Sequence, residues 1–257
     1  MSLEGTDLDK LALSTEKLLA GTDSKITTVG YYCNPIQYAE HRKTLENVIC
    51  TAGKFGATHV STFAGAWEGK SVESSYEEFG KVFRELADLA EEKGVKLGIE
   101  NCLMDGTWEH ATCNIGFNPK AWEVMFEEVK NDNFGLEWEP THQMVQLIDP
   151  VTELRKWCKK IVHIHGKDAT IDWDAVRHSG ISGAVPFVWH RMPGFGDTNW
   201  RDIISILRSN GYEDDICIEG YHDPVYSGEL EMTGQLHALN YLKWCRGGEF
   251  TPTPWAK

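Results

Sequence analysis

Four apolar segments of the chain each end in side chains that can bind a metal ion or move a proton. These side chains belong to Glu100, Glu137, Glu139, His142, His163, His165, Glu219, His222 and Asp223. A single glutamate or histidine at the end of a strand is usually solvated or paired for structural reasons. Four strands that all end in this way are much less expected by chance, so the pattern indicates one shared site.

Alternation along the strands separates candidate ligands from candidate supporting residues. Every second residue of a strand points to the same face, so Glu137 and Glu139 share a face, as do His163 and His165. The residue nearer the end of a strand is better placed at an open edge, which favours Glu139 and His165 as ligands. Glu137 should lie deeper, where a buried carboxylate needs a partner, and His163 on the neighbouring strand is the expected one.

The four strand ends together could supply three carboxylates and one imidazole, a donor set that suits a hard or borderline divalent cation. We expect one such ion, Mn²⁺, with Mg²⁺, Co²⁺ or Zn²⁺ as alternatives. The low thiolate content of the set argues against a structural zinc site. Fewer than six protein ligands would leave coordination positions for the oxygens of a substrate, so the ion could act as Lewis acid and template.

The elements that must position these residues repeat one unit, an apolar run followed by a loop and a segment of helical period. The apolar runs cover residues 25–32, 57–65, 95–102, 134–140, 160–168 and 215–221. Helical segments between them end at Gly56, Gly94 and Gly211, and glycine is a common helix stop. Strands that alternate with helices form a parallel sheet covered by helices.

Two architectures fit such an alternation, an open doubly wound sheet and a closed eight-stranded barrel. No glycine-rich phosphate fingerprint follows a strand, and the GFGDTN segment at 194–199 stands in a long loop, which weakens the dinucleotide-binding version. In barrels the active site lies at the C-terminal ends of several strands, and polar residues concentrate there in this sequence. We therefore predict a TIM-type (β/α)₈ barrel of the α/β class.

Only six strand–helix units are legible, whereas a full barrel has eight. The helix at 7–20 resembles the second helix of a barrel, so the first strand, first helix and second strand are missing or poorly legible. No linker-like composition divides the chain, and we predict a single domain over 1–257. Residues 169–199 form the longest irregular stretch and should lie over the barrel mouth, since loops of this length are usually functional.

Charge and composition restrict the expected partners. The formal net charge of −14 argues against nucleic acid. No apolar run approaches the ~20 residues of a membrane span, and the opening MSLEGTDLDKL lacks the features of a signal peptide. The seven cysteines contain no CxxC pair, which is typical of reduced thiols, so we expect a cytoplasmic protein.

Four segments of the chain resemble motifs of the xylose isomerase-like barrel family, which includes sugar isomerases, epimerases and inosose dehydratases. They are GIENC (98–102), FGLEWEPTH (134–142), VHIHGKD (162–168) and PGFGDTNWRDIISILRSNGYEDDICIEG (193–220). The resemblance extends from about residue 26 to residue 246. Taken together, the motifs are fairly specific for family and fold, and they are poor at naming a substrate.

The resemblance implies one divalent metal bound by Glu100, Glu139, His165 and Glu219. In the epimerase branch, the glutamates that match Glu100 and Glu219 also move protons on opposite sides of a bound ketose. One removes the proton beside the carbonyl to give an enediolate, and the other reprotonates the opposite face. A cation on the carbonyl and hydroxyl oxygens stabilises the developing charge. The residue that matches His142 usually contacts substrate hydroxyls.

One residue departs from the family pattern. Glu139 stands where the family usually has aspartate, so its carboxylate is displaced by about a bond length. It could still bind the metal, or it could tilt the site. Lys167 and Asp168 are expected to pair with each other or to brace His165.

Further candidates would contact the substrate. Arg191, just before PGFG, could hold a hydroxyl or a phosphate group. Trp67, Trp108 and Trp189 lie in loops after strands and could form an apolar wall for a sugar ring. The chain contains 10 tryptophans, so most of them must belong to the core or to an interface.

The leading functional hypothesis is a metal-dependent sugar isomerase or epimerase that acts on a small ketose or keto-polyol. The first alternative is a dehydratase of the inosose type, which would use the same metal for an elimination. The DNA-repair endonuclease branch of the fold is disfavoured by the acidic charge, and a non-enzymatic barrel with a binding role is a further alternative. We expect a small sugar as partner, a homodimer or homotetramer, and no contact with nucleic acid or membrane.

Overall fold

The computed structural model describes residues 7–248 and 251–253. The opening residues 1–6, on which part of the signal-peptide argument rests, lie outside this range. The chain divides into two compact units. The first unit takes the described residues up to His142 together with Lys160–Ile164, and the second unit takes Gln143–Lys159 and the residues from His165 onward.

The first unit is built on parallel strands in chain order. They are β1 (Thr28–Gly30), β2 (His59–Thr62), β3 (Lys96–Glu100), β4 (Phe134–Trp138) and β5 (Ile161–Gly166), of which Ile161–Ile164 belong to this unit. Glu100 pairs in register with Glu137, and Glu137 with His163. The strands therefore bring their carboxyl ends to the same level, as the alternation in the sequence requires.

The first unit has one helix before β1 and further helices after its strands. They are α1 (Leu8–Leu19), α2 (Ala39–Thr51), α3 (Tyr76–Glu92), α4 (Pro119–Glu128) and α5 (Pro140–Met144), whose last two residues belong to the second unit. The apolar side of α3 is buried, and the rings of Phe79 and Phe83 lie 6.3 and 6.0 Å from that of Phe134 on β4. Each buried ring contributes about 2 kcal/mol, so this contact anchors α3 to the sheet.

The second unit contains the end of β5 and the remaining elements. These are α6 (Pro150–Trp157), β6 (Asp168–Ile171), α7 (Trp173–Ser179), β7 (Val188–Arg191), α8 (Trp200–Ser209), β8 (Ile216–Ile218) and α9 (Glu231–Arg246). The β8 strand lies beside the end of β5, where the N–H of Glu219 donates to the carbonyl of Gly166 at 3.1 Å. Each of the six predicted runs contains one of the strands β1–β5 and β8, so these six predictions are confirmed.

The prediction of an irregular stretch over 169–199 is wrong in part. Strands β6 and β7 form an antiparallel ribbon, in which Asp168 pairs with Arg191 and Ile171 with Val188, and α7 lies between them. Both strands have only four residues, and most of their residues are partly solvent-exposed. Short strands of this kind lack the long apolar run that the sequence analysis used as its signal.

Helix ends follow the predicted glycines. Gly56, Gly94 and Gly211 have φ angles of 80°, 68° and 77°, a backbone conformation that residues with a side chain rarely adopt. The predicted N-terminal helix is also present as α1, and its N-cap residue Asp7 accepts a hydrogen bond from the N–H of Lys10 at 3.0 Å. No strand precedes β1 among the described residues, in agreement with the six legible units.

Candidate functional site

The first unit places two buried carboxylates side by side at the ends of β3 and β4. Glu100 is the last residue of β3, and Glu139 follows the last residue of β4. Both are buried, and a carboxylate oxygen of one lies within 4.8 Å of a carboxylate oxygen of the other. The Asn101 side chain accepts from the N–H of Glu139 at 2.7 Å and donates to its carbonyl at 2.9 Å. The two strand ends are thus fastened together.

His142 lies beside these carboxylates on α5. Its Nε2 is 3.4 Å from Oε1 of Glu139, and its side chain is buried. Burial alone would lower the pKa of His142, but the charge of Glu139 and a hydrogen bond with Cys102 outweigh burial and raise the pKa well above its ordinary value. The ligand atoms of Glu100, Cys102 and His142 lie within 4.8 Å of one another.

Glu137 lies deeper in the first unit, beside the side chains of Ser61, Tyr32 and His163. The hydroxyl of Ser61 donates to Oε1 at 2.5 Å, and the hydroxyl of Tyr32 donates to Oε2 at 2.8 Å. Nε2 of His163, the partner expected from the sequence, is 3.8 Å from Oε1. Alternation along β2 could have indicated Ser61, whereas no sequence signal points to Tyr32.

The second unit brings together His165, Lys167 and Glu219. Nδ1 of His165 lies 3.1 Å from Oε2 of Glu219, and Nζ of Lys167 lies 2.8 Å from Oε1. The Lys167 side chain is only 3% exposed. Lys167 therefore contacts the same carboxylate as His165. The expectation that Lys167 and Asp168 pair with each other or brace His165 stays a prediction.

Asp168 fastens the PGFG segment to β6. Its carboxylate accepts hydrogen bonds from the N–H groups of Ala169 at 2.8 Å, Thr198 at 2.9 Å and Gly194 at 3.1 Å. Burial raises the pKa of Asp168, while these hydrogen bonds act in the opposite direction. A Cβ at position 196 would lie 2.4 Å from Oδ1 of Asp168, so the close approach of this loop requires the glycine found there.

Arg191 is held by Asp223. Nε of Arg191 lies 3.3 Å from Oδ2 of Asp223, and its guanidinium carbon is 5.8 Å from the ring centre of Phe195. Asp223 is buried and also accepts from three backbone N–H groups, those of Met192 at 2.7 Å, Val225 at 2.8 Å and Tyr226 at 2.9 Å. Asp223, a potential ligand in the sequence, is thus used to fix the loops around Arg191.

The tryptophans considered as a sugar wall occupy different environments. Trp67 and Trp189 are exposed, and Trp189 lies on β7 rather than in a loop. Trp108 is half-buried, and its Nε1 donates to Oε1 of Glu73. A role of Trp67, Trp108 or Arg191 in binding substrate stays a prediction.

Each unit brings together donor atoms that suit a divalent cation. Within the first unit these are the carboxylates of Glu100 and Glu139. Within the second unit they are the imidazole of His165 and the carboxylate of Glu219. Two buried carboxylates so close together repel each other unless a cation compensates their charge.

Among the helices that the structure describes, none has the length and apolar character required to cross a bilayer.

Comparison with known proteins assigns the chain to a family. The xylose isomerase-like TIM barrel family matches residues 6–243. The chain belongs to this family. Solved structures agree at the level of the fold: a xylose isomerase domain protein from Planctomyces limnophilus superimposes with a TM-score of 0.69 at 18% identity, covering 93% of this chain and 82% of that one. The IOLI protein with a binding zinc atom superimposes with a TM-score of 0.65 at 21% identity, and the match covers 95% of this chain and 81% of that one.

Curated relatives are identical to this chain at about a quarter of the aligned positions. Inosose dehydratase of Clostridium tetani is 26% identical over 174 residues, which is 66% of this chain and 55% of the relative. Inosose dehydratase of Clostridium perfringens is 22% identical over 227 residues, 85% of this chain and 73% of the relative. The chain thus spans little more than half the length of the C. tetani relative.

Proposed function

We propose that this chain acts on a small keto-sugar or keto-polyol and removes a proton from the carbon beside the carbonyl. In this proposal both units belong to one barrel domain, and Glu100, Glu139, His165 and Glu219 hold one divalent ion. The observation that carries the proposal is the pair of buried carboxylates of Glu100 and Glu139, whose oxygens lie within 4.8 Å of each other. Mn²⁺ is the first ion to test, and a homodimer or homotetramer stays a prediction.

The ion, when bound, would polarise the carbonyl and stabilise the negative charge that develops on its oxygen. Glu100 and Glu219 are the proposed proton carriers. A carboxylate is a weak base, so it must be held in place and partly desolvated. Glu100 is buried, and Lys167 and His165 each hold one oxygen of Glu219. We propose that His142, Arg191, Trp67 and Trp108 contact the substrate.

Dehydration of an inosose-type keto-polyol is the first candidate reaction. The curated relatives named above are inosose dehydratases, and one of them aligns with 85% of this chain. In such an elimination one carboxylate removes the proton beside the carbonyl. The second glutamate acts in its protonated, carboxylic acid form and gives its proton to the hydroxyl on the next carbon. That hydroxyl leaves as water, the electrons of the broken C–H bond form the double bond, and the second glutamate becomes a carboxylate.

Isomerisation or epimerisation of a ketose is the second candidate. Its support is the resemblance of GIENC and the DICIEG end of the last motif to the branch in which two glutamates exchange a proton. The first step would be the same, and the second glutamate would return a proton to carbon instead of losing water. The two reactions therefore share proton removal and differ only in their second step.

The test is hydrogen exchange in ²H₂O with a panel of inososes and ketoses, in the presence of Mn²⁺, Mg²⁺, Co²⁺ or Zn²⁺. Loss of water indicates the dehydratase, and incorporation of deuterium into carbon without loss of water indicates the epimerase or isomerase. Glu219→Gln and Glu100→Gln should each abolish exchange, whereas Glu229→Gln, at an exposed position of the second unit, should not. Exchange that survives either of the first two substitutions would exclude the two-glutamate mechanism.

A further inference from the structure

Three different metal-binding side chains meet at the end of β3 in the first unit. A carboxylate oxygen of Glu100, the sulfur of Cys102 and an imidazole nitrogen of His142 lie within 4.8 Å of one another. Glu100 and His142 are buried, and Cys102 is half-buried. The donor set proposed for the catalytic ion contains no sulfur, so this cluster is a separate chemical environment that shares only Glu100 with it.

The backbone that carries Glu100 and Cys102 is held rigidly by Asn114. Nδ2 of Asn114 donates to the carbonyl of Glu100 at 2.9 Å and to that of Cys102 at 2.8 Å. Its Oδ1 accepts from the N–H groups of Ala64 and Gly116, both at 2.9 Å. One buried amide thus fixes the two ligand-bearing residues relative to the end of β2 and to the loop at Gly116, and a fixed backbone is what a metal site with defined geometry requires.

His142 has a carboxylate beside its imidazole. Nε2 of His142 is 3.4 Å from Oε1 of Glu139. Metal-bound histidines usually have a carboxylate or carbonyl on their other ring nitrogen, which fixes the ring and raises its basicity. The arrangement around His142 matches that rule.

We infer that Glu100, Cys102 and His142 form a thiolate-containing site for a thiophilic divalent cation, of which Zn²⁺ is the natural representative. One oxygen, one sulfur and one nitrogen donor make a three-ligand set that leaves a fourth position open, as in catalytic zinc sites. Thiolate favours Zn²⁺ over Mg²⁺ and Mn²⁺, and the thiol proton passes to solvent when the ion binds.

Co²⁺ titration of the metal-free full chain tests this site without any substrate. A thiolate ligand gives Co²⁺ an intense near-ultraviolet charge-transfer band that oxygen and nitrogen ligands do not give. We expect the band in the wild-type protein, its loss in Cys102→Ser and its retention in Cys113→Ser, a half-buried cysteine on the same loop. Zn²⁺ affinity should fall at least about 100-fold in Cys102→Ser. A wild-type protein without the band, or a band that persists in Cys102→Ser, would overturn the inference.

Protection from alkylation gives a second measurement that needs no variant. Iodoacetamide labelling followed by peptide mass spectrometry should show that Zn²⁺ protects Cys102, while Mg²⁺ does not and Cys50 labels equally in both. Equal labelling of Cys102 with either ion contradicts the site. These two measurements test the thiolate site independently of the proposed function. A protein that is inactive on sugars but shows both the Co²⁺ band and the Zn²⁺ protection has the thiolate site. A protein that is active on sugars but shows neither signal lacks the thiolate site.

Discussion

Lys167 and Glu219 form an ion pair in which Nζ of the lysine lies 2.8 Å from Oε1 of the glutamate. The pair connects the residue that follows β5 with the residue that follows β8. The lysine side chain is 3% exposed, and the glutamate side chain is 28% exposed. The other oxygen of Glu219 meets Nδ1 of His165 at 3.1 Å, so Lys167 sets the orientation of a proposed proton carrier.

Replacing Lys167 with Met should impair both stability and activity. The substitution keeps the aliphatic stem and removes the ammonium group, which leaves the partly buried carboxylate of Glu219 without its cation. We expect the free energy of unfolding in denaturant to fall by about 2 kcal/mol. Substrate proton exchange should fall by about 10-fold or more, since residues that orient a metal ligand have effects of this size.

The matched control is Lys156→Met in the same unit. Nζ of Lys156 lies 2.6 Å from Oε1 of Glu153, but the lysine side chain is 61% exposed. Solvent screens such a pair, so its loss should lower the free energy of unfolding by less than about 1 kcal/mol. The rate of substrate proton exchange should not change. Equal losses in the two variants would show that the Lys167 contact has no special role.

Asp223→Asn should destabilise the protein at neutral pH and become harmless in acid. Burial raises the pKa of Asp223, but its backbone hydrogen bonds and Arg191 outweigh burial and hold the pKa below its ordinary value. A depressed pKa contributes stability above the unfolded-state pKa of about 3.9, and this contribution disappears as the pH falls through the folded-state pKa. We expect a cost of about 2 kcal/mol at pH 7, which shrinks below about pH 4.

Unfolding free energies of both proteins across this pH range provide the measurement. Asp132→Asn, at an exposed position, serves as control and should follow the wild-type protein throughout. A difference between wild type and Asp223→Asn that stays constant down to the acid limit would mean that the carboxylate charge does not contribute.

The sequence predicts the fold well because its signals are local. Each of the strands β1–β5 and β8 lies in an apolar run of adjacent residues, and the glycines at 56, 94 and 211 end helices through their own backbone conformation. The β6–β7 ribbon has no such local signal, since each strand has only four residues and the two are separated by residues 172–187. Its pairing depends on tertiary contacts such as those of Asp168, which no run of adjacent residues reveals.

The candidate site also contains residues that the sequence predicts and residues that it does not. Strand ends and alternation point to Glu139 and to Glu137, because both properties can be counted along the chain. Tyr32 and Ser61 reach Glu137 from 105 and 76 residues away, and Lys167 reaches Glu219 across 52 residues. A single sequence contains the hydroxyl and ammonium groups but does not state which carboxylate they meet.

Shortening Glu139 to aspartate should leave metal binding largely intact. Glu139→Asp restores the residue that the family usually carries, and we expect the affinity for Mn²⁺ to stay within about 10-fold of wild type. Glu139→Ala removes a proposed ligand and should lower that affinity by at least about 100-fold. Competition with a metal-sensitive dye measures both values. Glu137→Gln, one layer deeper, should affect stability more than affinity, and unchanged affinity in Glu139→Ala would exclude Glu139 as a ligand.

Gly135 should be the most restrictive position of β4. A Cβ at this position would lie 2.3 Å from the carbonyl oxygen of Lys160 and 2.7 Å from Cγ1 of Val162. The first of these contacts is with backbone, so β4 and β5 would have to separate. We expect Gly135→Ala to lower the free energy of unfolding by about 3 kcal/mol, and to weaken metal binding because β4 leads directly into Glu139.

Gly53 gives the matched control, since a Cβ there would meet nothing within 4 Å and its backbone is compatible with alanine. Gly53→Ala should be neutral or stabilise the protein by about 0.5 kcal/mol, because alanine restricts the unfolded chain more than glycine does. Thermal and denaturant unfolding of both variants compare the two sites directly. If Gly135→Ala were as stable as Gly53→Ala, the close approach of β4 to β5 would be wrong, and with it the register that pairs Glu137 with His163.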